Sequence, residues 1–112
     1  AGQVDAASSV EGQVVVEAGA RVENSVLRGP LIVGAGAVVR SSYVGPFTSV
    51  ARNCTIADSE IEHSIVLEES QIIGIDSRIE SSLLGRNVQV RRGDARPRAY
   101  KFMVGDNSEI IV

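Results

Sequence analysis

Few side chains in this 112-residue sequence carry the chemistry of a catalyst. The sole histidine, His63 in the stretch IEHSIV, is the one catalytic candidate. An imidazole can serve as general base for acyl transfer from a thioester such as acetyl-CoA. Zinc chemistry needs three or four N, S or O ligands, so it would require three copies of His63 to meet on a symmetry axis. The sole cysteine, Cys54, cannot form an internal disulfide. It occupies a slot filled elsewhere by Ser8, Ala20, Ala37, Thr48 and Ser77, which marks it as a small inward filler rather than a reactive thiol. No cofactor-binding or metal-binding set can be assembled from these residues.

Three local patterns imitate functional motifs. The run Gly34-Ala35-Gly36-Ala37-Val38-Val39-Arg40 looks like the start of a phosphate loop, yet it lies in register with a repeat and reads as two of its corners. Arg92-Gly93-Asp94 matches an adhesion tripeptide that is common by chance. Asn53-Cys54-Thr55 fits a glycosylation acceptor, which is idle in a cytoplasmic chain. Ice-binding ladders of threonine are excluded, since only Thr48 and Thr55 occur.

The elements that position these residues follow from one ruler. An aliphatic residue recurs at every fifth or sixth place: Val4, Val10, Val16, Val22, Leu27, Val33, Val39, Val44, Val50, Ile56, Ile61, Leu67, Ile73, Ile79, Leu84 and Val90. Such a period fits neither a helix nor an isolated strand; it marks a hexapeptide solenoid in which each step is one short strand and one corner. The five-residue steps from Val22, Val39, Ile56 and Ile79 each place a serine fourth: Ser25, Ser42, Ser59 and Ser82. Val22, Val39 and Ile56 are 17 apart, so two sixes and a five close one turn. A five-residue step also fits Ile61 to Val66, which leaves the phase open there. The fold class is therefore all-β, a parallel β-helix of about five turns and roughly 25 Å at the spacing of stacked strands. Hexapeptide coils as a class wind left-handed, through tight corners rather than long crossovers. His63, two places after Ile61, falls at an outward position near a corner.

Composition agrees with a narrow prism. Aliphatic content is high while aromatics make up 4% and Trp is absent, because rings would force apart walls built of stacked Val and Ile. Residues 1–90 form the coil, with six cations against eleven anions, a balance that argues against nucleic acid as partner. Residues 91–112 form a basic linker (Arg91, Arg92, Arg96, Arg98, Lys101) and a cap bearing Tyr100, Phe102 and a last hexad at 104–110. No apolar run reaches transmembrane length and no secretory signal is evident, so a cytoplasmic location without membrane contact is expected. The repeat is in phase from Val4, with nothing before it to cover the first turn, so the chain reads as a piece of something longer. Open ends and faces lined by short serines predict a homo-oligomer, side by side in preference to end to end.

Several stretches go beyond generic hexads. VENSVLRGP (22–30), SYVGPFTSV (42–50), EIEHSIVL (60–67), IESSLLGRN (79–87) and above all RPRAYKFMVGDNSEI (96–110) resemble the C-terminal region of long-form glucose-1-phosphate thymidylyltransferases. The resemblance implies an N-terminal nucleotidyltransferase domain of Rossmann type as partner, followed by this β-helix. It implies Mg²⁺ and a nucleoside triphosphate for that other domain, and a role in stability and oligomerisation for this one. The family's glycine-rich catalytic loop, with its Arg-Leu and Pro-x-Thr, has no counterpart here, so the resemblance implies no catalytic residue and no activity of this chain alone. Two alternatives are an acetyl-CoA-dependent sugar or amino-sugar acyltransferase on the same coil, and an engineered β-solenoid scaffold.

Overall fold

A computed structural model describes residues 2–75 and 77–92. The expected cap and most of the basic segment, with Arg96, Arg98, Tyr100, Lys101, Phe102 and the hexad 104–110, lie outside the described residues. The coil is a three-sided prism of parallel sheets. The first face stacks β1 (Gln3–Val4), β4 (Arg21–Glu23), β7 (Val38–Arg40), β10 (Thr55–Ala57), β13 (Gln71–Ile73) and β16 (Gln89–Arg91). The second stacks β2 (Ser9–Glu11), β5 (Val26–Arg28), β8 (Tyr43–Val44), β11 (Glu60–Glu62) and β14 (Ile79–Glu80). The third stacks β3 (Val14–Val16), β6 (Leu31–Val33), β9 (Thr48–Val50), β12 (Ile65–Val66) and β15 (Leu83–Leu84). Each strand is two or three residues long, with the ruler residue pointing inward, before the chain turns a corner.

Corners impose their own backbone rule. Asn24, Ser41, Asp58 and Gly74, stacked between the first and second faces, all have positive φ. So do Gly19, Gly36, Asn53, Glu69 and Asn87 between the third and first. Gly12, Phe47, His63 and Ser81 do the same between the second and third. This left-handed region suits Gly and Asn best, which explains much of their use here.

Inside, the ruler residues stack in register. Val22 pairs with Val39, and Val39 with Ile56, on the first face. Leu27, Val44 and Ile61 stack on the second, and Val33, Val50 and Val66 on the third. All of these are buried, whereas Val4 and Val10 of the first turn are 40% and 46% exposed.

Two ruler positions are corrected. Val66 at the end of the fourth turn and Ile72 at the start of the fifth, not Leu67 and Ile73, point inward. Ile72 is fully buried and Ile73 is 39% exposed. The cause is a second five-residue step, Ile61 to Val66, made possible by Ser64 at its corner. The Ser64 hydroxyl is buried and donates to the Glu62 carbonyl at 2.8 Å. Phase is restored by a seven-residue step from Ile72 to Ile79, longer than any step expected from the ruler. Within it Ile75 packs against the core.

The serines are corrected too. Ser25, Ser42 and Ser59 do not line an outer face; they are buried and tie one turn to the next. Each hydroxyl donates to the carbonyl two residues back, at 2.7, 2.7 and 2.9 Å. Each also accepts the backbone N–H one turn on, from Ser42, Ser59 and Ile75 respectively. Ser82 is half-buried and joins the same arrangement with Ser64 at another corner. A residue fourth in a five-residue step sits where one backbone carbonyl and one N–H would otherwise be left unpaired, so serine answers the hydrogen-bonding demand of the shortened corner.

The corrected phase makes a direct contrast. Ile72→Ala should lower unfolding free energy by about 2–5 kcal/mol through lost burial and a residual cavity, whereas Ile73→Ala should change it by under about 1 kcal/mol. Urea denaturation of both variants checks this; equal losses would place the inward residue wrongly.

Candidate functional site

His63 sits where the sequence places it, exposed at the corner between β11 and β12. Its backbone N–H donates to the Pro46 carbonyl at 3.0 Å, and its φ of 51° is one of the left-handed corner values. Its ring lies 5.4 Å from that of Phe47 at a tilt of 39°. Among the described residues no carboxylate or hydroxyl bonds the imidazole, so nothing here orients it as a base. The corner geometry gives the histidine a structural reason to be there, since His is among the residues that tolerate positive φ.

Cys54 is buried, and its thiol donates to the Leu67 carbonyl at 3.0 Å. Burial pushes the thiol pKa up, which opposes thiolate formation. Ala20, Ala37 and Thr48 fill their slots inward as expected, but Ser77 is exposed; with the phase corrected, buried Ser70 takes that place. In the run from Gly34 to Arg40, three of the amides that would cradle a phosphate are engaged by neighbouring turns. Gly34 N–H bonds Val50 O at 2.7 Å, Ala35 N–H the Glu17 carboxylate at 3.2 Å, and Val38 N–H Cys54 O at 2.8 Å. The glycosylation pattern spans a corner whose middle residue, Cys54, is buried, and Gly93 and Asp94 of the adhesion-like tripeptide lie outside the described residues.

Charged side chains pair along the second face. Arg78 bonds Glu60 at 3.0 Å and Glu62 at 3.1 Å, and these two carboxylates raise the guanidinium pKa. The same guanidinium lies 4.8 Å from the centre of the Tyr43 ring, with Arg28 at 5.9 Å and bonded to Glu11 at 3.2 Å. These pairs are at the surface, where each contributes little. An open trough of about 540 Å³ beside them is lined by Asn24, Ser41, Asp58 and Glu60, among others. The hydroxyls of Ser42 and Ser59 at its floor are already committed to backbone groups. Asp5 is held below the usual carboxylate range, first by the Ser8 hydroxyl and then by the Asn24 N–H; it serves the first corner as a carbonyl serves later ones. No group of three His, Cys, Asp or Glu gathers among the described residues, and no described helix is long and apolar enough to cross a membrane.

One feature escaped the reading of the sequence. The residue just before the ruler residue on the third face points outward, and the sequence there runs Val15, Ile32, Ser49, Ile65, Leu83. The signal lies in the aliphatic doublets Val15-Val16, Ile32-Val33, Ile65-Val66 and Leu83-Leu84, interrupted at Ser49-Val50, in which a second aliphatic residue precedes the ruler residue.

The geometry defines a hexapeptide-repeat parallel β-solenoid without an enclosed site among its described residues. A model of the family described as "GlmU-like, C-terminal hexapeptide" matches residues 2–82, and the chain belongs to that family. It is 53% identical over 111 residues to a glucose-1-phosphate thymidylyltransferase of Streptomyces antibioticus, an alignment covering 99% of this chain and 31% of the relative. It is 50% identical over 107 residues to a protein of the same name from Streptomyces griseus, covering 96% and 30%. A low-salt glycan biosynthesis nucleotidyltransferase, Agl11, of Haloferax volcanii is 40% identical over 70 residues, covering 62% and 19%. The chain thus spans about a third of the length of the two thymidylyltransferases it matches.

A buried thiol with a raised pKa should stay unlabelled by a thiol reagent in the native protein near neutral pH and react only as the chain unfolds. Rapid stoichiometric labelling of Cys54 under native conditions would contradict its place in the core.

Proposed function

We propose that this chain is the C-terminal β-solenoid of a glucose-1-phosphate thymidylyltransferase and that it contributes stability and assembly rather than chemistry. The observation that carries the reading is the 53% identity extending over nearly all of the chain to a protein of that name. The missing chemistry supports it: phosphoryl transfer needs a phosphate cradle and metal-bound oxygens, and here the candidate cradle is spent on coil hydrogen bonds. Mg²⁺ is assigned in this reading to the nucleotidyltransferase domain expected in the remainder of such an enzyme. Joining a nucleoside triphosphate to glucose 1-phosphate suits a cytoplasmic enzyme, with nucleic acid and membrane outside its partners. The acyltransferase alternative would rest on His63, which has no orienting partner among the described residues.

Purified 112-residue chain, given dTTP, glucose 1-phosphate and Mg²⁺, should form no nucleotide sugar. The full enzyme carrying this segment should do so, and should lose thermal stability when the solenoid is deleted. Nucleotide-sugar formation by the chain alone would refute the division of labour. Acetyl transfer from acetyl-CoA that disappears in His63→Ala would establish the acyltransferase instead.

A further inference from the structure

The coil is open at its far end. The first face carries six strands and the other two carry five, so β16 begins a sixth turn that the described residues leave unfinished. Ile79, Leu84 and Val90, the inward residues of the last strand on each face, are only partly buried. Their counterparts one turn back, Ile61, Val66 and Ile72, are at most 1% exposed. Among the described residues β14, β15 and β16 pair on one side only, so each offers backbone N–H and C=O groups to whatever lies beyond. A solenoid end of this kind needs a cover that keeps water from the core and blocks further strand pairing.

The residues that follow Val90 are unfit to extend the coil. A step of five or six puts the next inward residue at Ala95 or Arg96, over the second face, and a further step puts another at 100–102, over the third. An arginine turned into an aliphatic prism has no partner for its charge, and Pro97 removes a strand donor. The same segment is nevertheless apolar in part, with Tyr100, Phe102, Met103 and Val104 close together. It holds two of the four aromatic residues of the chain. Rings are too wide for the inside of the prism but suited to lie across its open end.

We propose that residues 93–112 fold back as a plug over this end, with Tyr100 and Phe102 lying across Ile79, Leu84 and Val90. The plug gives the cap expected from the sequence a surface, and it is independent of any association between copies. Connectivity favours this occupant. The chain leaves the first face at Arg92, at the edge of the last turn, and the sides next in its path are those of β14 and then β15. Tyr100 lies eight residues beyond Arg92, enough chain to cross a prism whose sides are each five or six residues long. Charge points the same way. Glu60, Glu62 and Glu68 are already paired with Arg78 and Arg86. Glu80, at the end of β14, is exposed and its carboxylate pairs with no other described residue. Arg96, Arg98 and Lys101 arrive with the rings and set positive charge against it. Surface pairs of this kind contribute little, so charge orients the plug and the rings supply the burial.

Lys101 is the sole lysine of the chain, which gives the plug a specific handle. Carbodiimide coupling of the native 112-residue chain, mapped by mass spectrometry within single chains, should join Lys101 to Glu80. Amide hydrogen exchange over β14, β15 and β16 should quicken by at least about tenfold in Phe102→Ser, through loss of one buried ring, while β7 and β10 stay unchanged. Phe102→Leu should restore most of the protection, and deletion of residues 93–112 should open the same three strands further. Unchanged exchange at β14–β16 in the truncated chain would overturn the plug. Should the truncated chain fail to fold, unchanged exchange in Phe102→Ser would overturn it equally. Coupling of Lys101 to Asp5, Glu11 or Glu17 would place the tail at the opposite end and refute the proposal. Coupling found only between chains would make a second copy the occupant and refute the fold-back.

Discussion

Everything in this molecule depends on stacking like aliphatic side chains at the spacing of parallel strands, about 4.8 Å per turn. The interior is too narrow for anything but Val, Ile, Leu and small fillers, and each must sit directly over its counterpart in the turn below. That demand fixes the strand length, forces a left-handed residue at nearly every corner, and leaves the backbone groups of shortened corners to be satisfied by serine. The core is closed through the middle turns, while Val4 and Val10 remain partly open.

The fold was legible because this constraint writes itself into the sequence as a period. Local phase was less so. At Ile65-Val66-Leu67 and at Ile72-Ile73 the sequence offers adjacent aliphatics, and hydrophobicity cannot say which one points inward. The choice is made by Ser64, whose buried hydroxyl closes a five-residue corner, and by the longer step that follows Ile72. Ser25, Ser42 and Ser59 are ambiguous for the same reason, since a small polar residue reads as solvent-facing from its type, whereas here backbone partners hold each one inside. His63 and Cys54 were placed correctly because their positions follow from spacing alone.

Function was legible by resemblance rather than by site. The chain belongs to the GlmU-like C-terminal hexapeptide family, and its features that imitate chemistry are absorbed by structure: a corner histidine, a core thiol, and glycines whose neighbours' amides serve the next turn. What remains unabsorbed is surface. Two faces are dressed in charge, and the third is left aliphatic with a strained phenylalanine at its edge. In a solenoid each turn touches only its neighbours, so a face repeated over every turn becomes a flat, extended surface at no expense to the core.

The central claim is that like aliphatic residues stack in register from turn to turn, with Ile72 and not Ile73 turned inward. Methyl–methyl NOE contacts test it most directly. The account predicts contacts from the Ile56 methyls to those of Val39 and Ile72. Contacts from Ile56 to Ile73 in place of Ile72 would contradict it.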